Sequence, residues 1–170
     1  MRRGMAIAAA LTAAAVLLPG TLGRQAMGAP QQQTLIAPGK LLVAGRAMQC
    51  GRTPTLMDHS FWDYGGASEG LIILNPNKLA TLPVAVRLYV YAHECGHQLY
   101  GRSEPRADCY AVKRGRKEGW LDRRGLMQIC DFLQDHPGDY IHPPGPDRCK
   151  KMVKCYNQDS PPQAATGASG

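Results

Sequence analysis

The chain has 170 residues, of which 44% are hydrophobic, and carries 20 Lys and Arg against 13 Asp and Glu. That length supports one hydrophobic core and is short for two. Beyond the N-terminal segment no stretch approaches the 18 apolar residues of a membrane span, and a net charge of +7 does not demand a nucleic-acid partner.

Residues Met1–Gly28 have the pattern of an export signal. Arg2 and Arg3 open it, Ala6 to Leu18 is apolar, Pro19 and Gly20 break the run, and Ala26-Met27-Gly28 offers small residues for cleavage. An uncleaved anchor is the alternative. Removing Arg2, Arg3 and Arg24 with this segment leaves +4 on residues 29–170. The expected compartment is the bacterial periplasm or the medium. All six cysteines, at 50, 95, 109, 130, 149 and 155, follow the signal, which favours up to three disulfides. Sequence cannot choose among the 15 pairings, although Cys149 and Cys155 could close a small loop.

Leu35 to Met48 reads as short strands and turns around Pro38, Gly39 and Gly45. Arg52 to Glu69 reads as a loop region. Gly70 to Asn75 reads as a short buried strand ended by Asn-Pro-Asn. Pro83 to Tyr100 is long enough for a helix, apolar nearly all round and therefore buried on most sides; Gly101 stops it. Ser103 or Glu104 starts a second helix running to about Glu118. Asp122 starts a third, with Leu126, Ile129, Cys130 and Leu133 on one stripe. His136 to Pro146 is a loop with four prolines. A last helix covers Asp147 to Tyr156, and 157–170 has the composition of a disordered tail. One domain at 29–156 is expected, of α+β class: a small sheet packed on a central helix, with two or three further helices.

That central helix carries His93-Glu94-Cys-Gly-His97. At about 100° per residue, His93 and His97 share one face one turn apart, as two imidazoles on one zinc ion require. Glu94 lies beside them and can act as general base toward a water whose pKa zinc has lowered. The bland reading is a structural helix, but burying two histidines and a glutamate without purpose is unfavourable. A catalytic zinc takes three protein ligands and a water. Glu104, just after the glycine turn, leads for the third place; Asp108, His142, His136 and His59 are rivals. Asp108, four residues after Glu104, suits a hydrogen bond to the ring N–H of a liganding histidine. His142 could approach the metal or an oxyanion.

Three pieces carry a resemblance: His93-Glu94-x-x-His97, Glu104-Pro-Arg-Ala107-Asp108 and His142-Pro143-Pro144 followed by Arg148. Together the chain resembles gluzincin metallopeptidases of the CAAX-prenyl-protease and heat-shock-protease type, over about Gly70 to Cys155. The resemblance implies a zincin-like peptidase acting on a peptide or protein substrate. It implies His93, His97 and Glu104 as zinc ligands, Glu94 as catalytic base and Asp108 in support. It also implies an edge strand at Leu71 to Leu74 that pairs with an extended peptide. The chain departs from the family in its spacing, because Glu104 follows His97 by only seven positions. The spacing H-E-x-x-H-x-x-x-G-x-x-E echoes the metzincins instead, with Met127 or Met152 as a conceivable Met-turn. The alternative function is an exported zinc-binding protein of the envelope or secretion machinery without catalysis.

Two further signals are weaker. Lys113-Arg114-Gly-Arg116-Lys117 with Arg123-Arg124 could bind a polyanion, but a solvated helix face near a C-terminus accounts for it better. Gly96 inside the motif costs helix stability, which suggests a neighbouring strand passing close to it.

Overall fold

A computed structural model describes residues 33–158. The expected export signal at 1–28 and most of the expected C-terminal tail lie outside them. The described residues form strands β1 (Gln33–Ile36), β2 (Leu41–Val43), β3 (Arg46–Met48), β4 (Thr55–Asp58), β5 (Gly65–Ser68) and β6 (Leu71–Leu74). Helices α1 (Pro76–Ala80), α2 (Val84–Tyr100), α3 (Glu104–Lys117), α4 (Arg123–Leu133) and α5 (Gly145–Gln158) follow. The α+β class with a small sheet holds. Four helices accompany the central one rather than two or three. The last helix extends past Tyr156, so 157 and 158 belong to the folded part rather than to the tail.

The larger sheet has the order β1-β4-β6-β5, with β4 and β6 parallel and the other pairs antiparallel. The smaller is the β2–β3 hairpin. Its turn places Ala44 (φ 50°) and Gly45 (φ 78°) in the left-handed region, as a tight two-residue hairpin turn requires. Two strands lie within the stretch expected to be a loop. β4 is the short Thr-Leu-Met-Asp run, whereas β5 is Gly-Gly-Ala-Ser and its small residues give little warning; the neighbouring strand, not the local sequence, draws Gly65–Ser68 into the sheet.

Helix α2 is the axis of the molecule. Every residue from Leu88 to Gly96 is buried, because the sheet, α3 and α4 all pack against it. Ile72 and Leu74 of β6, Val86 and Tyr91 of α2, Ile129 of α4 and Met152 of α5 are fully enclosed in the same core. The α4 stripe is as expected: Leu126, Ile129, Cys130 and Leu133 are all buried, and the Asp122 carboxylate caps the helix by accepting from Gly125 N–H at 2.7 Å.

The close approach at Gly96 comes from a helix, not a strand. A Cβ there would lie 2.7 Å from the Cα of Ala107 in α3. Gly96 and Ala107 are the contact at which the two site-bearing helices cross. Three disulfides fasten this arrangement: Cys50–Cys95, Cys109–Cys155 and Cys130–Cys149. The small Cys149–Cys155 loop therefore does not form. Both cysteines lie on α5 and reach different partners, on α4 and α3.

Candidate metal centre

The site is built by one turn of chain. Helix α2 ends at Gly101, whose φ of 61° and ψ of −142° is nearly closed to any residue with a Cβ. Its N–H donates to the His97 carbonyl at 2.9 Å. The chain reverses there, and Glu104 opens α3 directly opposite the face of α2 that carries His93 and His97.

The two Nε2 atoms stand 3.0 Å apart. Glu104 brings Oε1 to 3.1 Å from His97 Nε2 and Oε2 to 3.3 Å from His93 Nε2. A tetrahedral metal ion with bonds of about 2.0–2.1 Å has ligand atoms about 3.3 Å apart, and the three donors fit that spacing. His93, His97 and Glu104 form the group among the described residues that could hold such an ion. Glu104 Oε2 is buried without an aligned hydrogen-bond partner, an expensive state for a carboxylate oxygen unless a cation meets it.

Each imidazole is oriented from behind. His97 Nδ1 lies 2.7 Å from the Gly101 carbonyl, which fixes the proton there and turns the Nε2 lone pair inward. His93 Nδ1 lies 2.9 Å from Asp108 Oδ1, the length of a hydrogen bond without its alignment. Asp108 is itself locked. Tyr89 donates its hydroxyl to Oδ1 at 2.6 Å, and Arg148 donates through Nε to Oδ2 at 2.9 Å and through a terminal nitrogen to Oδ1 at 2.8 Å. The same terminal nitrogen of Arg148 lies 3.5 Å from Glu104 Oε2.

The electrostatics follow from this enclosure. Burial disfavours the Asp108 carboxylate, but His93 and Arg148 outweigh it and hold its pKa at about 2. Burial likewise resists ionisation of Glu104, yet the two histidines drive its pKa well below the usual range. His93 is pushed down by burial and more strongly up by Asp108 and Glu104, to about 9. Glu94 differs. Burial raises its pKa, opposed by both histidines, and a carboxylate poised toward neutrality is suited to exchanging a proton.

Of the candidate ligands named from sequence, Asp108 supports His93 from behind and His59 pairs with Asn77 at 3.0 Å. His136 and His142 line a cavity of about 320 Å³ that opens on His93 and Glu94. His142 Nε2 lies 3.6 Å from Glu104 Oε1, and Asp139 holds its Nδ1 at 3.0 Å. Trp62, three-quarters exposed, stands on the rim of that cavity. Met152 is core and Met127 is half exposed on α4. Sequence reading missed Tyr89 and Asp139 and gave Arg148 no role. Tyr89 is four residues before His93, so helix spacing could have revealed it; Arg148 reaches Asp108 only through the packing of α5 on α3.

The strand beside the metal group is not the one expected. Leu71–Leu74 is paired on both sides, by β4 and β5. The edge of the sheet next to Glu94 is β5: a Cβ on Gly65 would lie 2.8 Å from Val90 and 3.2 Å from the Glu94 Cγ. The three disulfides agree with an oxidising compartment. No helix among the described residues is long and apolar enough to cross a membrane. Comparisons with protein-family models, with curated proteins and with solved structures find no match.

Proposed function

We infer that the chain is a minimal zincin-like peptidase, exported through its N-terminal signal, that uses zinc to hydrolyse peptide bonds. One observation carries the reading: two imidazole Nε2 atoms and a buried carboxylate converge at 3.0–3.3 Å. A second buried carboxylate, Glu94, stands beside them outside the ligand set.

Here zinc would be held by His93, His97 and Glu104, and when bound it supplies a Lewis acid that makes water a nucleophile near neutral pH. Glu94 takes the proton of the attacking water and returns it to the leaving amine. Asp108 and the Gly101 carbonyl keep the two imidazoles in register. His142, steadied by Asp139, is the candidate donor to the developing oxyanion. An extended peptide would add to the free edge of β5, with backbone hydrogen bonds fixing its scissile bond over Glu94.

The test is zinc content and peptide-library cleavage, measured together on the oxidised mature protein. Wild type and Glu94→Gln should each hold one zinc per chain, and His97→Ala and Glu104→Ala none. Wild type alone should cleave. Absence of metal from every preparation sinks the reading. Bound zinc without cleavage of any peptide leaves the non-catalytic zinc-binding protein.

A further inference from the structure

We propose that the face of α3 turned away from the metal group is a docking groove for an acidic polypeptide segment of about five residues.

Helix α3 has two chemically opposite faces. Glu104 and Asp108 point to the metal group. Arg106, Tyr110, Lys113 and Lys117 follow each other at helical spacing, about 200° round the helix from Glu104 and Asp108. These residues do not lie on a convex, simply solvated surface. They line a concavity of about 1040 Å³ that also takes in Tyr100, Gln49 and Gln158. Among the described residues, five cations border it, Arg106, Lys113, Arg114, Arg116 and Lys117, against one acid, Glu118. That acid already accepts from Arg114 Nε at 2.7 Å and from Trp120 Nε1 at 3.0 Å. The basic run that the sequence leaves as a solvated face is thus gathered into a groove.

The aromatic groups indicate which polyanion fits. The Arg106 guanidinium lies 4.4 Å over the Tyr100 ring, and that of Arg116 lies 4.8 Å over Tyr156. Such stacking holds a guanidinium in one plane, pre-organised for carboxylates. Within the groove it also takes up the Tyr100 ring face, on which a nucleobase would otherwise stack. Carboxylates on an extended peptide are therefore favoured over single-stranded nucleic acid. From Arg106 to Lys117 the helix advances about 16 Å at 1.5 Å per residue, the length of about five extended residues at 3.3 Å each.

The probe is fluorescein-labelled hexaglutamate, read by anisotropy at about 0.1 M salt on the oxidised mature protein. The triple variant Arg106→Ala/Lys113→Ala/Lys117→Ala should bind at least tenfold more weakly than wild type. Arg52→Ala/Arg123→Ala/Arg124→Ala removes the same charge elsewhere and should stay within twofold. Lys117→Glu alone, near the helix end, should weaken binding at least threefold and guards against misfolding of the triple variant. Circular dichroism checks each fold. Equal weakening by both triple variants overturns the proposal in favour of diffuse charge attraction. No binding by wild type overturns it outright. A hexathymidylate that binds tenfold tighter than hexaglutamate and loses affinity in the first triple variant makes the groove a nucleic-acid site instead.

Discussion

Arg148 and Asp108 meet side-on in the buried interface of α3 and α5, 40 residues apart in sequence, through two hydrogen bonds of 2.8 and 2.9 Å. The Asp108 oxygen that accepts the shorter of these also stands 2.9 Å from His93 Nδ1. The orientation of a candidate metal-ligating imidazole on α2 is therefore set by an arginine on the last helix. Arg148→Met should destabilise the fold by about 3–5 kcal/mol, because it leaves Asp108 buried without its charge partner. Zinc affinity should drop about 10–100-fold, the usual cost of losing an outer partner of a ligand. Arg148→Lys should recover only part of either, since an ammonium cannot reproduce the paired contacts. Thermal melts and titration against a chromogenic chelator check both.

A residue at Gly96 tests the helix crossing. Alanine in a helix is favoured over glycine by about 1 kcal/mol. Here the added methyl would meet the Ala107 Cα at 2.7 Å, and overpacking costs about 1–3 kcal/mol. Gly96→Ala should lower the melting temperature and weaken zinc binding, because separating α2 from α3 moves Glu104 away from the histidines. Adding Ala107→Gly should not restore stability, since the nearest clashing atom is backbone.

Three site residues each immediately precede a half-cystine: Glu94 before Cys95, Asp108 before Cys109, and Arg148 before Cys149. In the chain-entropy description, closing loops of 45, 46 and 19 residues stabilises by about 3–4 kcal/mol each. Cys130→Ser/Cys149→Ser should leave a folded protein in which α5 holds Arg148 less firmly. Its expected signature is zinc affinity lowered about tenfold, with far-UV circular dichroism unchanged. Full reduction should release the metal, which mass spectrometry under native conditions reads directly.

The pH dependence has a definite sign. In the metal-free protein His93 is held at about 9 against an ordinary 6.5. Its protonated form stabilises the fold fully below pH 6.5, and that contribution is lost as pH rises through 9. The difference amounts to about 3 kcal/mol. Glu104 and Asp108 act oppositely: their depressed values stabilise above about pH 4 and fail as pH falls toward 2. Metal-free protein should therefore melt highest between about pH 4.5 and 6.5. Zinc must displace the His93 proton, so apparent affinity should rise up to about pH 9. A melting temperature that does not change from pH 6 to pH 9.5 would contradict this account.

The sequence by itself determined the local features of this protein. Helical period placed His93, Glu94 and His97 on one face of α2, and Gly101 marked where that helix ends. The same period set Asp108 beside Glu104 on α3 and the apolar stripe on α4. These follow from short-range geometry that holds wherever the helices are put. The tertiary structure decided what links distant segments. It paired the cysteines, brought Arg148 and Tyr89 onto Asp108, and set Ala107 rather than a strand against Gly96. It made β5 the open edge beside Glu94, although Gly65–Ser68 carries no strand signal of its own. It also folded the basic run of α3 into a groove. Each of these depends on which surfaces of α2, α3 and α5 bury one another, and burial is a property of the packed molecule that no single stretch of residues encodes.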